Sequence, residues 1–440
     1  MFVLRRLRKF CTRSMASAEF TTQVLKCDPS SITFPSDEPV ISCHDTADAI
    51  KAAAHHLVAL EQPVVFPTET VYGLGGLALK SEAAAKIFST KGRPADNPLI
   101  VHVSSMNMLR SLLPPDYTIP DTYQALMKAF WPGPLTLLFP RNPSVIPSII
   151  TAGQPTVAIR MPAHPVARAL IAISDAPLAA PSANTSGKPS PTRAMHVAAD
   201  LNGKVPLILD GGACGFGLES TVVDGLAEDG HLRVLRPGGV TVEDLERVLR
   251  EEMPVNARAQ PRRVLVHKRD YADEQQEQAP TTPGMKYRHY SPSVPVVLLS
   301  TLPDASRTSV AIATYLETLT ATLLSSFFCP PSSPSSSSSS SPTAPPSSIS
   351  IGVLAATDSH LWAHLPSPSS DPRIIWQRHP LGPLANPDVI AHNLFDGLLS
   401  LEKAGVRVML IEEVSEEREG LAIMNRVRKA ASETVAVTLS

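Results

Sequence analysis

Short apolar runs alternate with helix-like stretches as far as residue 253, and this alternation limits the fold more than any other feature. Runs at 64–66, 99–103, 135–139, 156–160, 177–180, 207–210, 220–224 and 232–235 have strand length and are rich in Val, Ile and Leu. Between them lie helical stretches. Asp45 can cap a helix to about residue 60, with Ala47, Ile50, Ala54, Leu57 and Val58 on one face. Ser81 can open a second helix, and Gly92 suits its end. Others are expected at 122–130, 165–173 and 192–200, and Thr241-Val242-Glu243-Asp244 is a capping-box-like start for a helix to about 252. Strands and helices in alternation predict an α/β domain over 40–253.

From 254 to 292 the pattern lapses into charges, glutamines and prolines, the composition of a linker. A second, smaller α/β unit over 293–440 opens at Val294-Pro295-Val296-Val297-Leu298-Leu299. It continues through Ile351-Gly352-Val353-Leu354, a helix near 390–403 and a strand at 406–411. A stretch of serine and proline at 330–349 interrupts it and cannot bury apolar surface, so disorder is expected there. The 41 acidic residues nearly balance 39 basic ones, which argues against a chain that coats nucleic acid by charge alone. None of the five cysteines pair at C-x-x-C spacing, so zinc and disulfide frameworks lack support and a reducing compartment is expected. No apolar run approaches the ~18 residues of a membrane helix. Residues 1–20 carry Arg5, Arg6, Arg8, Lys9 and Arg13 and no acid before Glu19. That composition fits a mitochondrial transit peptide and equally a disordered basic tail. Met15 offers a second start that omits it, which would divide the chain between mitochondria and cytoplasm.

Polar loops follow the strands, and open α/β sheets place their ligand crevice at strand carboxyl ends. They are Pro67-Thr68-Glu69-Thr70-Val71-Tyr72-Gly73-Leu74-Gly75, the cluster Lys91-Gly92-Arg93-Pro94-Ala95-Asp96-Asn97-Pro98, and residues 181–190, 210–221 and 235–239. Glycines admit backbone N–H groups to phosphate oxygens, and hydroxyls add donors. Each loop alone is more often just a turn; five together at strand ends are hard to explain as turns alone and point to an anionic ligand, with Lys91 as an exposed charge. Arg160, at the end of a strand and before Met161-Pro162, is placed to grip a carboxylate, or else forms a surface ion pair. His102 is a strand residue that fits a site or a core. Cys214 has no companion His motif, and no Walker, G-x-G-x-x-G, H-E-x-x-H or G-x-S-x-G pattern occurs where its chemistry would need it.

Taken in order, these segments resemble the threonylcarbamoyl-AMP synthase (YrdC-like) family. The matching residues are 66–75, Lys91-Gly92-Arg93, 97–102, Trp131-Pro132-Gly133-Pro134-Leu135-Thr136, 157–162, 180–184, 219–223 and 235–238. The run Pro283-Gly284-Met285-Lys286-Tyr287-Arg288-His289-Tyr290-Ser291-Pro292 is similar to the linker motif of the family's long members. Gly420-Leu421-Ala422-Ile423-Met424-Asn425-Arg426 is similar to their C-terminal motif.

The resemblance implies a YrdC-like twisted open mixed sheet with helices, then a linker and a smaller Rossmann-like domain. It implies an enzyme that makes threonylcarbamoyl-AMP and pyrophosphate from L-threonine, bicarbonate or CO2 and ATP, with Mg2+ accompanying the ATP. The product would pass to a transferase that modifies tRNA beside the anticodon, and a tRNA contact is among the expected partners. By motif match, Lys91 and Arg93 would be catalytic and would hold phosphates or carbamate. Thr68, His102, Arg160, Ala180 and Ser220 would hold threonine. Asn97, Thr136, Ser182, Asn184, Ser190, Arg236, Tyr287 and Tyr290 would join Lys91 and Arg93 around ATP, the two tyrosines as a lid. No resident metal site is implied. Two rivals stand beside this reading. One is a non-enzymatic module for double-stranded RNA, disfavoured by the charge balance. The other is a carbamoyl transferase of the hydrogenase-maturation type, whose zinc-finger cysteine pairs this chain lacks.

Overall fold

The computed structural model describes residues 20–253, 262–271, 273, 280–282, 289–301, 308–328, 348–366 and 371–439. The leader up to residue 19, Tyr287 with the rest of 283–288, most of the serine-proline stretch, Cys11 and Cys329 lie outside them.

Eleven strands form the first sheet, in the order Gln23–Lys26, Leu207–Asp210, Val64–Phe66, Gly73–Leu77, Leu178–Ala179, Val101–His102, Thr156–Arg160, Leu135–Pro140, Thr221–Asp224, Leu232–Arg236 and Val264–Val266. Parallel and antiparallel pairs mix, as Val101–His102 against Thr156–Arg160 and Thr156–Arg160 against Leu135–Pro140 show. Side chains alternate faces along a strand. In the central strands the odd-numbered residues, Val101, Leu135, Leu137, Phe139, Val157 and Ile159, join the main apolar core. Even-numbered Ile100, Leu138 and Ala158 form a smaller apolar floor on the other face. His102, Arg160 and Thr136 stand on one rung above that floor, because His102 pairs with Arg160 and Arg160 with Thr136. The sheet itself therefore gathers three candidate site residues from three separate segments.

Most expected elements form, including the strand Val64–Phe66 and helices His44–Val58, Ser81–Lys91, Asp121–Phe130 and Pro165–Ile173. Gly92 takes the left-handed conformation (φ 59°) that ends the second of these helices. The Thr241–Asp244 capping box is complete, with each side chain bonded to the other's backbone. The sheet reaches beyond 40–253 on both sides. Gln23–Lys26 pairs parallel with Leu207–Asp210, and Val264–Val266, within the segment read as linker, pairs with Leu232–Arg236. Gly73–Leu77, read as loop, is a strand because the missing side chain at Gly75 leaves room for the Phe66 ring; a Cβ there would sit 2.5 Å from it.

The second unit is a six-stranded sheet in which every pairing is parallel: Val310–Ala311, Glu433–Thr438, Val296–Ser300, Val408–Glu412, Ile349–Ala355 and Ile374–Pro380. Ile349 is its strand residue, not part of the serine-proline stretch. Helices cover both faces, as parallel sheets require. Pro387–Lys403 and Glu419–Ala430 bury Leu394, Phe395, Leu398, Ile423 and Met424 on one face, and Ile312–Phe328 buries Ile312 and Leu316 on the other. The units touch through apolar packing, with Val71 and Leu218 joining the second unit's core and Leu421 the first's, and through polar contacts. Arg193 pairs with Asp396 at 2.8 Å, His392 Nδ1 donates to Gly215 O at 2.8 Å, and Arg418 N donates to Glu243 at 3.2 Å. Among the described residues no helix is long and apolar enough to cross a membrane.

Candidate active site

All five polar loops converge on one cavity. Thr68 and Thr70 come from the first loop, Lys91 and Arg93 from the second, and Ser182, Asn184 and Ser190 from the third. Glu219 and Ser220 come from the fourth, and Arg236 from the fifth. His102, Arg160 and Ala180 rise from strand ends, and His289 and Tyr290 close the wall from the linker. Gly238 allows two of these loops to meet, since a Cβ there would lie 2.2 Å from Glu219 O.

Arg160 is neither open nor at the surface. It is 3 % exposed, pairs through Nη2 with Glu69, donates from Nη1 to Thr70 at 2.9 Å and from Nε to Gly133 O at 3.1 Å. Glu69 in turn accepts from Ala163 N at 3.0 Å and His164 N at 3.3 Å. Thr68 Oγ1 donates to Val71 O at 2.7 Å, so Thr70, 2.8 Å away, donates to Thr68 while accepting from Arg160. One polar chain thus fixes the Arg160 guanidinium and leaves two of its five N–H donors for a ligand.

Lys91, expected as an exposed charge, is 2 % exposed. Its Nζ donates to Ser182 O and, at 2.6 Å, to Asn184 O. Burial, reinforced by Arg93, pushes the Lys91 ammonium well below its ordinary pKa. An anion in the cavity works against that shift and favours the charged form. Arg93 Nη2 donates to Asn97 O at 3.1 Å and Pro98 O at 2.9 Å, while its buried Nε has no partner. Burial brings the Arg93 guanidinium down to about 10, still charged at neutral pH. His102 is buried with Nδ1 donating to Ile100 O at 3.2 Å; burial and then Arg160 push it down to about 3, so it is neutral.

At the far wall Arg236 donates to Ser220 O at 2.9 Å and to Ser220 Oγ at 3.2 Å, and that hydroxyl lies 2.8 Å from Thr136 Oγ1. Ser190 Oγ donates to Glu219 Oε1. Burial raises the Glu219 carboxyl, and Arg426 and then Arg236 pull it below its ordinary value. Tyr290, in the left-handed region at φ 64°, rests its ring 5.3 Å from Phe395 of the second unit. Cys214 is wholly buried, and burial raises its thiol pKa, so it offers no nucleophile.

Twelve of the expected site residues line this cavity together: Thr68, Lys91, Arg93, His102, Arg160, Ala180, Ser182, Asn184, Ser190, Ser220, Arg236 and Tyr290. Thr136 and Asn97 do not line it. Thr136 reaches it through Ser220, and Asn97 through its carbonyl on Arg93. Tyr287 lies outside the described residues. Sequence reasoning assigned no role to Glu69, Thr70, Glu219, His289 or Arg426. Glu69 and Glu219 each sit inside a quoted motif, where a lone carboxylate among small and apolar residues was the available signal.

Two family models match the chain. One, described as telomere recombination, covers residues 57–238, and the other, described as threonylcarbamoyl-AMP synthase, C-terminal domain, covers 240–432. A threonylcarbamoyl-AMP synthase of Schizosaccharomyces pombe is 44 % identical over 408 residues, 88 % of this chain and 89 % of that protein. Its Bacillus subtilis counterpart is 38 % identical over 88 % of this chain and 94 % of its own length. Among solved structures, Pyrococcus abyssi Sua5 complexed with L-threonine is 34 % identical with a TM-score of 0.68, covering 94 % of this chain and 99 % of that one. On these full-length matches and on a cavity built from the matching motifs, the chain belongs to the threonylcarbamoyl-AMP synthase family.

Proposed function

We propose that this chain condenses L-threonine, bicarbonate or CO2 and ATP into threonylcarbamoyl-AMP, releasing pyrophosphate in a nucleotidyl transfer. The observation that carries this reading is a cavity where cations and hydroxyls converge and where, among the described residues, no cysteine nucleophile stands. The chemistry needs none. The threonine nitrogen bonds to the carbon of CO2 and loses a proton to water, giving a carbamate. A carbamate oxygen then attacks the α-phosphorus as its bond to the bridging oxygen breaks, and pyrophosphate leaves. Positioning and charge stabilisation supply the catalysis in such a displacement.

In this reading Lys91, Arg93 and Arg236 hold the phosphate chain, and Ser182, Asn184 and Ser190 hold the rest of the nucleotide. Threonine lies against Thr68, neutral His102, Ala180, Ser220 and the remaining donors of Arg160, which face its carboxylate. Thr136 orients Ser220, Asn97 orients Arg93, and Tyr290 closes the site against water. Glu219, the carboxylate that lines the wall, is already paired with Arg426, and Glu69 behind it with Arg160. Magnesium accompanying ATP would therefore rely on phosphate oxygens and water rather than on these carboxylates. The product passes to a transferase that acts on tRNA. The chain works in the cytoplasm, with a mitochondrial pool that the basic leader would direct. The full-length relatives bearing the synthase name support this reading over an RNA-binding module. Incubation with labelled bicarbonate, threonine and ATP tests it by mass spectrometry. Label in a threonylcarbamoyl adenylate is the expected result, and its absence from folded protein counts against the reaction.

A further inference from the structure

Arg426 heads the large side chains that are fully buried, and it belongs to the second unit. Helix Glu419–Ala430 carries it into the wall of the first unit's cavity. There its Nε and Nη2 donate to Glu219 Oε2 at 3.1 and 3.0 Å, and its Nη1 donates to Pro237 O and to Ala422 O. Its guanidinium carbon stands 5.7 Å from the Tyr290 ring centre. Glu219 lines the cavity and Arg426 does not. Whatever Arg426 does for a ligand, it does through Glu219 and Tyr290.

A carboxylate in the wall of a cavity that takes phosphates repels them unless its charge is matched. Arg426 supplies the match with two nitrogens on one oxygen, while Ser190 occupies the other. Among the cations acting on Glu219, Arg426 has the largest effect and Arg236 the next. Without Arg426, Glu219 would turn its charge on Arg236, which now donates to Ser220.

We infer that Arg426 is a positioning residue of the active site, pairing with Glu219 so that this carboxylate neither repels the phosphate chain of the nucleotide nor competes with it for Lys91 and Arg236. The inference rests on the ATP reading above. It makes the docking of the second unit a condition of nucleotide binding, because the residue that neutralises the cavity wall comes from that unit.

Calorimetric titration of the full chain with magnesium ATP, and separately with L-threonine, tests it. Arg426→Met should weaken ATP binding about tenfold, with threonine affinity kept within about twofold. Adding Glu219→Gln to Arg426→Met should bring ATP affinity back to within about threefold of the parent, since the unmatched charge is then gone. An equal loss for both ligands, or no recovery in the double variant, would mean that Arg426 only docks the two units and would overturn the inference. Should Arg426→Met fail to fold by circular dichroism, Arg426→Lys keeps the charge but loses the two-nitrogen grip. Its smaller ATP defect should again recover on adding Glu219→Gln, and failure to recover overturns the inference. Absence of ATP binding by the unmodified chain would instead overturn the underlying ATP reading, a distinct outcome.

Discussion

Replacing Lys91 with Met separates stability from activity. The methionine keeps most of the side-chain volume and removes the ammonium. Two charge-assisted bonds are lost, to Ser182 O and Asn184 O, at roughly 1.5–3 kcal/mol each, or about 3–6 kcal/mol together. Against this, the variant no longer holds a buried ammonium, whose desolvation costs several kcal/mol. The two terms oppose each other and are of similar size, so folding stability should change by no more than about 2 kcal/mol. Nothing offsets the loss in turnover. A donor aimed at developing phosphate charge is worth about 10²–10³ in kcat, roughly 3–4 kcal/mol. Urea unfolding gives the first quantity and pyrophosphate release the second. A variant that loses more than about 4 kcal/mol of stability, with activity tracking the folded fraction, would refute the cancellation. Parent-like turnover would refute the catalytic role.

Three further outcomes follow from the geometry. Glu69→Gln strands the buried Arg160 charge and should cost about 3–5 kcal/mol in chemical denaturation, while Glu69→Gln with Arg160→Met should cost less; a single variant as stable as the parent would refute the pairing. His102 has a folded pKa of about 3 against an ordinary 6.5, so between those values the unfolded chain binds the extra proton and stability falls as pH falls. The slope from this group is at most about 1.4 kcal/mol per pH unit, and His102→Gln should flatten the acid limb of a pH–stability profile; an unchanged limb would contradict it. Gly238→Ala puts a Cβ 2.2 Å from Glu219 O and should cost about 1–3 kcal/mol with a larger fall in turnover, and a variant matching the parent in thermal melting and activity would show that the loops can part without harm.

Strands such as Thr156–Arg160 and helices such as Pro165–Ile173 were legible because their own apolar patterns suffice to bury one face. Gly73–Leu77 was not, since three of its five residues are glycines and its strand character comes from partners, Val64–Phe66 on one side and Leu178–Ala179 on the other. Val264–Val266 escaped for a similar reason: three residues form a strand only against Leu232–Arg236. At the site, the cations and hydroxyls were legible as loop residues, but their burial was not. Lys91 reads as a surface charge until the 181–190 loop supplies two carbonyls. The pairing of Glu219 with Arg426 joins residues 207 positions apart on two separate units, and no local pattern encodes such a contact. Asn97 and Thr136 show the converse, since their motifs are close to the site while their side chains stand behind its wall.

Pyrophosphate release from the purified chain, with threonine, bicarbonate and magnesium ATP omitted one at a time, tests the central claim most directly. The account predicts release only when all three are present. Release that persists without threonine or without bicarbonate, or none from folded protein with all three supplied, would contradict it.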